Sequence, residues 1–277
     1  MSSQGPESAV ETMPNGLVTY AADLGVAVIT LCVPPANTYS YAMNRDLDEA
    51  ILKARFDDDV HVIVLRGAGE KFFCAGADIA MLDNVTPQFK YYFCLHANET
   101  LNRLEQTPKL VIAALNGHTV GGGMEIAMAA DMRIARRGAG RMGLPEVTLG
   151  VLPGTGGTQR LARLVGKAKA IELMATGDLF PFEKAETLGL VNRIFDCESA
   201  DQFLADVITY AQQFVPPARA SMAVGRIKRA VHTGLEVGFE SGLALERELQ
   251  QQLFQSEDAS EGIRAYVEKR TPSFKGQ

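Results

Sequence analysis

The sequence predicts an α/β core followed by an all-helical segment, and two observations carry that expectation. Up to about residue 200, short apolar runs rich in β-branched residues alternate with stretches of helical periodicity. Such alternation indicates strands connected by crossover helices. Beyond residue 200 the strand-like runs stop and only helical patterns remain. With 277 residues the chain is long enough for a sizeable core. The expected division is a frayed tail over 1–14, an α/β core over 15–200 and a helical extension over 201–277.

Taken in order, residues 1–15 carry two acidic residues, no basic flank and no apolar core. They resemble neither a secretory nor a mitochondrial targeting peptide, so they read as a tail. A first strand is expected over 26–33 and a helix over 45–57. The next strand, 60–66, runs into the small-residue turn Cys74 to Asp78, and a helix is expected over 87–106. The run 110–115 reads as a strand delivering the chain to Asn116 and Gly117. Three glycines follow, Gly121, Gly122 and Gly123, at the head of a helical pattern over 122–130 that carries Glu125. A strand over 132–135 precedes Pro145 and a second glutamate, Glu146, with a helix expected over 158–176. The polar stretch 196–201 is too short for a free linker. Helices are expected over 201–214, 217–232, 236–255 and 257–269, with Leu243, Leu245, Leu249 and Leu253 on one face of the third.

Two strands that end in small-residue turns suggest a chemistry. Backbone N–H groups at a helix N-terminus have no partner within the helix and carry the positive end of its dipole. An oxygen that gains negative charge would be stabilised there. Two carboxylates, Glu125 and Glu146, delivered to the same place could do general acid/base work. A lone run of three glycines is more often only a tight turn, and a lone glutamate early in a helix is usually a surface residue. The second turn at 74–78 shifts the reading, because two turns can offer two donors to one oxygen.

Composition narrows the alternatives. A net charge of −6 argues against nucleic acid as the main partner. It leaves room for an anionic ligand, which needs only a few local lysines and backbone donors. No apolar run reaches the ~20 residues of a membrane span. Cys32, Cys74, Cys94 and Cys197 are widely spaced, which favours reduced thiols in a cytoplasmic protein over zinc or a disulfide framework. His61, His96, His118 and His232 are scattered, and only His118 adjoins the glycine turn. Gly138 to Gly143 satisfies G-x-G-x-x-G, but Pro145 and Pro153 interrupt where a dinucleotide fold needs a helix. Gly154 to Thr158 lacks the Gly-Lys-Ser/Thr of a phosphate loop, and no G-x-S-x-G elbow occurs.

Several ordered blocks together resemble the crotonase superfamily, and the chain looks most like the enoyl-CoA hydratases. They are Phe73 to Ile79, Ala114 to Gly117 with Gly121 to Glu125, Gly143 to Glu146, and Leu149 to Arg160. Thr176 to Asp178, Ala185 to Val191 and the tail Tyr266 to Arg270 also fit. The resemblance covers roughly residues 15–275. It implies a repeated ββα spiral core, a C-terminal helical oligomerisation region, and homotrimers that often pair into hexamers. It further implies an oxyanion hole from the N–H groups of Ala77 and Gly122, with Glu146 as principal acid/base and Glu125 orienting water. CoA would arrive as part of an acyl-CoA thioester substrate, with no separate cofactor, no metal, no nucleic-acid partner and no membrane. Its adenine end would meet the backbone of Ala75, Gly76, Ala77, Asp78 and Ile79, its phosphates Lys71 and Lys269, and its acyl or pantetheine channel Tyr266. Residues 81–98, including Phe89 and Phe93, would shape the acyl pocket. The chain departs from the family pattern at Ala80, where many hydratases carry lysine. The implied activity is hydration of a 2-enoyl-CoA. The alternatives are a 3-enoyl-CoA to 2-enoyl-CoA isomerase, which often keeps only the second glutamate, another CoA-ester lyase or hydrolase, and a protein that only binds.

Overall fold

A computed structural model describes residues 9–277 of the chain. The first part contains β1 (Glu11–Thr12), β2 (Val18–Asp23), β3 (Val26–Leu31), helix α1 (Tyr41–Phe56), β4 (Val62–Gly67) and β5 (Phe72–Cys74). Next come α2 (Ile79–Asp83), α3 (Pro87–Gln106), β6 (Leu110–Leu115), β7 (His118–Val120) and α4 (Gly122–Met128). The core closes with β8 (Met132–Arg136), β9 (Arg141–Gly143), α5 (Gly157–Val165), α6 (Lys167–Thr176), β10 (Phe180–Pro181), α7 (Phe182–Thr187) and β11 (Arg193–Phe195). Four helices follow: α8 (Ala200–Ala211), α9 (Ser221–Gly234), α10 (Phe239–Phe254) and α11 (Glu257–Glu268).

The strands form two sheets. One has the order β1-β2-β3-β4-β6-β8-β11, the other β10-β9-β7-β5. The chain places β4 in the first sheet and β5 in the second before entering helices, then repeats this with β6 and β7, and again with β8 and β9. That is a ββα spiral. Neighbouring strands from β3 through β11 in the first sheet are parallel, as are β5, β7 and β9 in the second. Parallel central strands are covered on both faces, which is why β4 and β6 read as unbroken apolar runs. Alternate residues go to opposite sides: Ile63, Leu65, Val111 and Ala113 face the main core with α1. Val62, Val64, Leu110 and Ile112 face Phe203, Val207 and Ala211 of α8.

Side chains from the turns lock the two sheets together. Asn116, almost fully buried, accepts from Gly67 N (3.0 Å) and donates to Gly69 O (2.9 Å) and Phe72 O (3.3 Å). Asn37 donates to Ala68 O (2.9 Å) and Phe72 O (3.0 Å). The turn that starts β5 is thus held by two asparagines from distant parts of the chain, and this fixes where the turn after β5 lies.

Several expectations need correction. Residues 1–8 of the expected tail lie outside the described residues. From Glu11 onward the tail is ordered: β1 pairs antiparallel with β2 and Met13 is buried. A short edge strand of two residues leaves little signal in sequence. The single helix expected over 158–176 is two, α5 and α6, because Gly166 between them has φ +79 and ψ 157, outside the helical region. The first helix begins at Tyr41, four residues earlier than expected, with Ser40 accepting from Met43 N as its N-cap. Two strands rather than one separate Glu125 from Glu146. Of the four leucines placed on α10, Leu249 is buried and the others half-buried. No helix among the described residues is long and apolar enough to cross a membrane.

Candidate active site

Two turns meet at the ends of β5 and β7. Tyr39 and Ala77 form a parallel bridge in which Tyr39 N donates to Gly76 O and Asp78 N donates to Tyr39 O. Ala75 N donates to Ala36 O, and Gly76 N to Cys74 Sγ. In the stretch Ala75 to Asp78, only Ala77 N–H is left without an acceptor among the described residues. Gly122 opens α4, and as the first helical residue its N–H also has no partner within the helix.

These two free donors are brought close by glycine packing. Gly76 lies so near the second turn that a Cβ on it would come 3.2 Å from Gly122 N. Gly122 itself rests on the Tyr39 ring, where a Cβ would fall 1.9 Å from Tyr39 Cε1, so no side chain is tolerated there. Gly121, at φ +56, packs against the Glu146 carboxyl, with a notional Cβ 2.9 Å from Oε1. A side chain at either glycine would collide with the group that completes the site.

The two glutamates sit in contrasting environments. Glu125, on α4 and 1% exposed, is clamped by the loop that precedes α5. Its Oε1 accepts from Thr155 N (2.8 Å) and Gly157 N (2.7 Å), and its Oε2 from Thr155 Oγ1. Three donors suit a carboxylate that acts as an acceptor. Arg160 steadies the clamp by donating to Thr155 O (3.2 Å) while pairing with Glu105 of α3 (2.6 Å). Glu146 begins the 3₁₀ turn Glu146–Leu149. Its Oε2 is buried with no hydrogen-bond partner among the described residues. Burial pushes its carboxyl up to about 7, the negative charge of Glu125 adds to the rise, and a backbone hydrogen bond and Lys90 oppose it.

Tyr39 and Thr155 have no assigned role in the sequence reading, yet they join the parts. The buried Tyr39 hydroxyl lies 3.5 Å from Thr155 Oγ1, and its ring stacks on Phe93 at 5.5 Å. Burial, helped by Glu125, raises the Tyr39 pKa, so the ring stays neutral. Thr155 falls inside the family block Leu149 to Arg160 without any local mark. Tyr39 reaches the site through the bridge to Ala77 and its contacts with Gly122 and Thr155, none of which a local pattern reveals.

The other candidates are distributed differently. Asp78 spends its carboxylate on capping α2, accepting from Ala80 N (2.9 Å) and Met81 N (3.2 Å), while Ile79 is exposed. Lys71 lies at the far end of β5, exposed, with its ammonium over the Phe72 ring. Tyr266 and Lys269 are not drawn into the cluster. Tyr266 is 86% exposed, Lys269 ends α11 in the left-handed region, and the following tail bonds back to Asp258 and Pro217. His118 Nδ1 accepts from Arg141 N at 3.2 Å, a link between β7 and β9.

Paired free N–H groups flanked by one clamped and one desolvated carboxylate can polarise a carbonyl and move protons beside it. A family model described as enoyl-CoA hydratase/isomerase matches residues 21–277. The chain is 38% identical over 246 residues to the short-chain-enoyl-CoA hydratase of Clostridium acetobutylicum, covering 88% of this chain and 92% of that protein. It is 35% identical over 237 residues to the crotonyl-CoA hydratase of Syntrophomonas wolfei, covering 84% and 89%. Among solved structures, an enoyl-CoA hydratase from Geobacillus kaustophilus HTA426 matches with a TM-score of 0.90 at 42% identity, covering 94% of this chain and 97% of that one. With the interleaved ββα spiral, these matches establish that the chain has the crotonase fold and belongs to the enoyl-CoA hydratase/isomerase family, an enzyme family whose hydratases are hydro-lyases.

Proposed function

We propose that the protein adds water reversibly across the 2,3 double bond of a 2-enoyl-CoA thioester to give a 3-hydroxyacyl-CoA. The observation that carries this reading is the presence of both glutamates beside the same pair of free N–H groups. In this reading the thioester oxygen accepts from Ala77 N–H and Gly122 N–H, which stabilise the enolate-like state more than the neutral carbonyl. Loss of one such donor typically costs about 2.7–4 kcal/mol of transition-state stabilisation. Water oxygen bonds to Cβ as one of its protons passes to the glutamate pair, the π electrons move toward Cα and the thioester oxygen, and Cα takes a proton from the pair. Glu146 is the principal acid/base. A carboxylate has about four acceptor positions, so the three donors on Glu125 leave about one for the attacking water. CoA is part of the substrate, and the protein uses no separate cofactor. In this reading its adenine end meets the backbone of residues 75–79, Lys71 and Lys269 meet its phosphates and Tyr266 its acyl or pantetheine channel, all outside the cluster of N–H groups and glutamates.

The exposed apolar residues Leu235, Phe239, Phe254, Ile263 and Val267 of the C-terminal helices support assembly into a homotrimer or homohexamer. Four free cysteines support a reducing compartment such as the cytoplasm. The heavy clamping of Glu125 favours one second reading. If its remaining acceptor position cannot hold water, Glu146 alone would shuttle a proton and the reaction would be 3-enoyl-CoA to 2-enoyl-CoA isomerisation. Assaying purified protein against 2-enoyl-CoA and 3-enoyl-CoA thioesters separates the two. Hydration of a short 2-enoyl-CoA should be the faster reaction, and faster turnover of the 3-enoyl-CoA would make the protein an isomerase.

A further inference from the structure

Tyr39 stands where three parts of the site meet, and packing fixes its ring from two sides. One face stacks on Phe93 of α3, with the centroids 5.5 Å apart and the planes within 9° of parallel. The ring edge lies against Gly122, where a Cβ would fall 1.9 Å from Cε1 and 2.6 Å from the hydroxyl oxygen. The backbone is pinned as well, because Tyr39 N donates to Gly76 O and Tyr39 O accepts from Asp78 N. A ring held in this way has little freedom in where it puts its hydroxyl. That hydroxyl lies 3.5 Å from Thr155 Oγ1, its one hydrogen-bond partner among the described residues.

Counting protons gives the chain a direction. Thr155 has one hydroxyl proton, and Glu125 Oε2 accepts it. Tyr39 is therefore the donor toward Thr155 Oγ1, and burial keeps its hydroxyl protonated. On Glu125, Oε1 already accepts from Thr155 N and Gly157 N, which fills its two lone pairs. The acceptor position left for water is consequently on Oε2, beside the Thr155 hydroxyl. Bonds in such a chain polarise one another, so a donor to Thr155 Oγ1 strengthens the bond that Thr155 makes to Oε2. It also disfavours any rotamer of that hydroxyl whose proton points back at Tyr39.

We propose that Tyr39 is a positioning residue for hydration: its hydroxyl, acting through Thr155, fixes which lone pair of Glu125 Oε2 is offered to the attacking water. This deepens the hydratase reading and rests on it, since there Glu125 orients that water. Tyr39 itself meets no reacting atom and exchanges no proton with the substrate.

Y39F keeps the ring between Phe93 and Gly122 and removes only the hydroxyl, which separates the chain from the packing. Y39F, T155V, T155S and the double variant Y39F/T155V are compared with wild type in crotonyl-CoA hydration and in urea unfolding. Y39F should lower kcat about three- to tenfold, the scale of one hydrogen bond, with KM nearly unchanged. T155V should lower kcat at least as far, and T155S should keep most of the rate by keeping the hydroxyl. Adding Y39F to T155V should cost nothing further, because the two residues act as one chain. In unfolding, Y39F should destabilise wild type but not T155V, where the Tyr39 hydroxyl is already buried without a partner. A wild-type kcat in Y39F, or the same loss when Y39F is added to T155V, would overturn the proposal. A raised KM with kcat unchanged would overturn it too, by making Tyr39 only a wall of the binding site. No hydration by wild type, with the unfolding coupling intact, would remove the hydratase reading and leave the chain onto Glu125 standing. Hydration without that coupling would keep the reading and remove the chain.

Discussion

Glu146 carries a buried, unpartnered Oε2 and a carboxyl pushed up to about 7, while Glu125 is held by Thr155 and Gly157. One proton is therefore held by the pair near neutral pH, mainly on Glu146. If Cα takes that proton during hydration, kcat/KM should be level below pH about 7 and fall tenfold per unit above it, as the site loses its proton. Because the net reaction neither consumes nor releases a proton, dehydration kcat/KM must show the same limb rather than its mirror image. Steady-state rates over pH 5–9 in both directions check this, and E146Q should abolish the limb. A flat profile to pH 9 would contradict the assignment. At this scale the two glutamates and the two glycine turns were legible from sequence, because strand, turn and helix signals are local. Tyr39 and Thr155 were not, since their meaning comes from partners far along the chain.

Each turn of the spiral depends on side chains that tie one sheet's strand to the next. Asn116 is one of these, with three hydrogen bonds to the turn between β4 and β5. Replacing it by alanine strips the buried Gly67 N–H of its acceptor and removes one donor each from the carbonyls of the exposed Gly69 and of Phe72, which keeps Asn37. A group left unsatisfied costs about 1–3 kcal/mol, so N116A should lose about 3 kcal/mol in urea unfolding. A loss within about 0.5 kcal/mol would mean that these turns hold themselves. Most strands and helices were readable as periodic apolar runs. The break at Gly166 was not, because the helical periodicity of α5 continues into α6, and only the backbone angles at one glycine separate them. The edge strand β1 was missed because two residues give no alternation to read.

For the whole molecule, the alternation of strands between two sheets cannot be read from periodicity, which gives a strand its length but not its sheet. It entered through the family resemblance carried by the glycine, asparagine and glutamate blocks. The helices from α9 onward expose Leu235, Phe239, Phe254, Ile263 and Val267, apolar side chains that subunit contacts would cover. Sedimentation at micromolar concentration should therefore give a trimer or hexamer, and a monomer would contradict the oligomer assignment. The central claim, that two glutamates beside one oxyanion site hydrate an enoyl thioester, is tested most directly by crotonyl-CoA hydration in wild type, E125Q, E146Q and the double variant. E146Q should lose about 10²–10⁴ in rate, the usual range for a positioned acid/base. E125Q should also be severely slowed, and the double variant should be little worse than the worse single one, because both residues act on one water. Wild-type rates in E125Q, with 3-enoyl-CoA isomerised faster than crotonyl-CoA is hydrated, would contradict it.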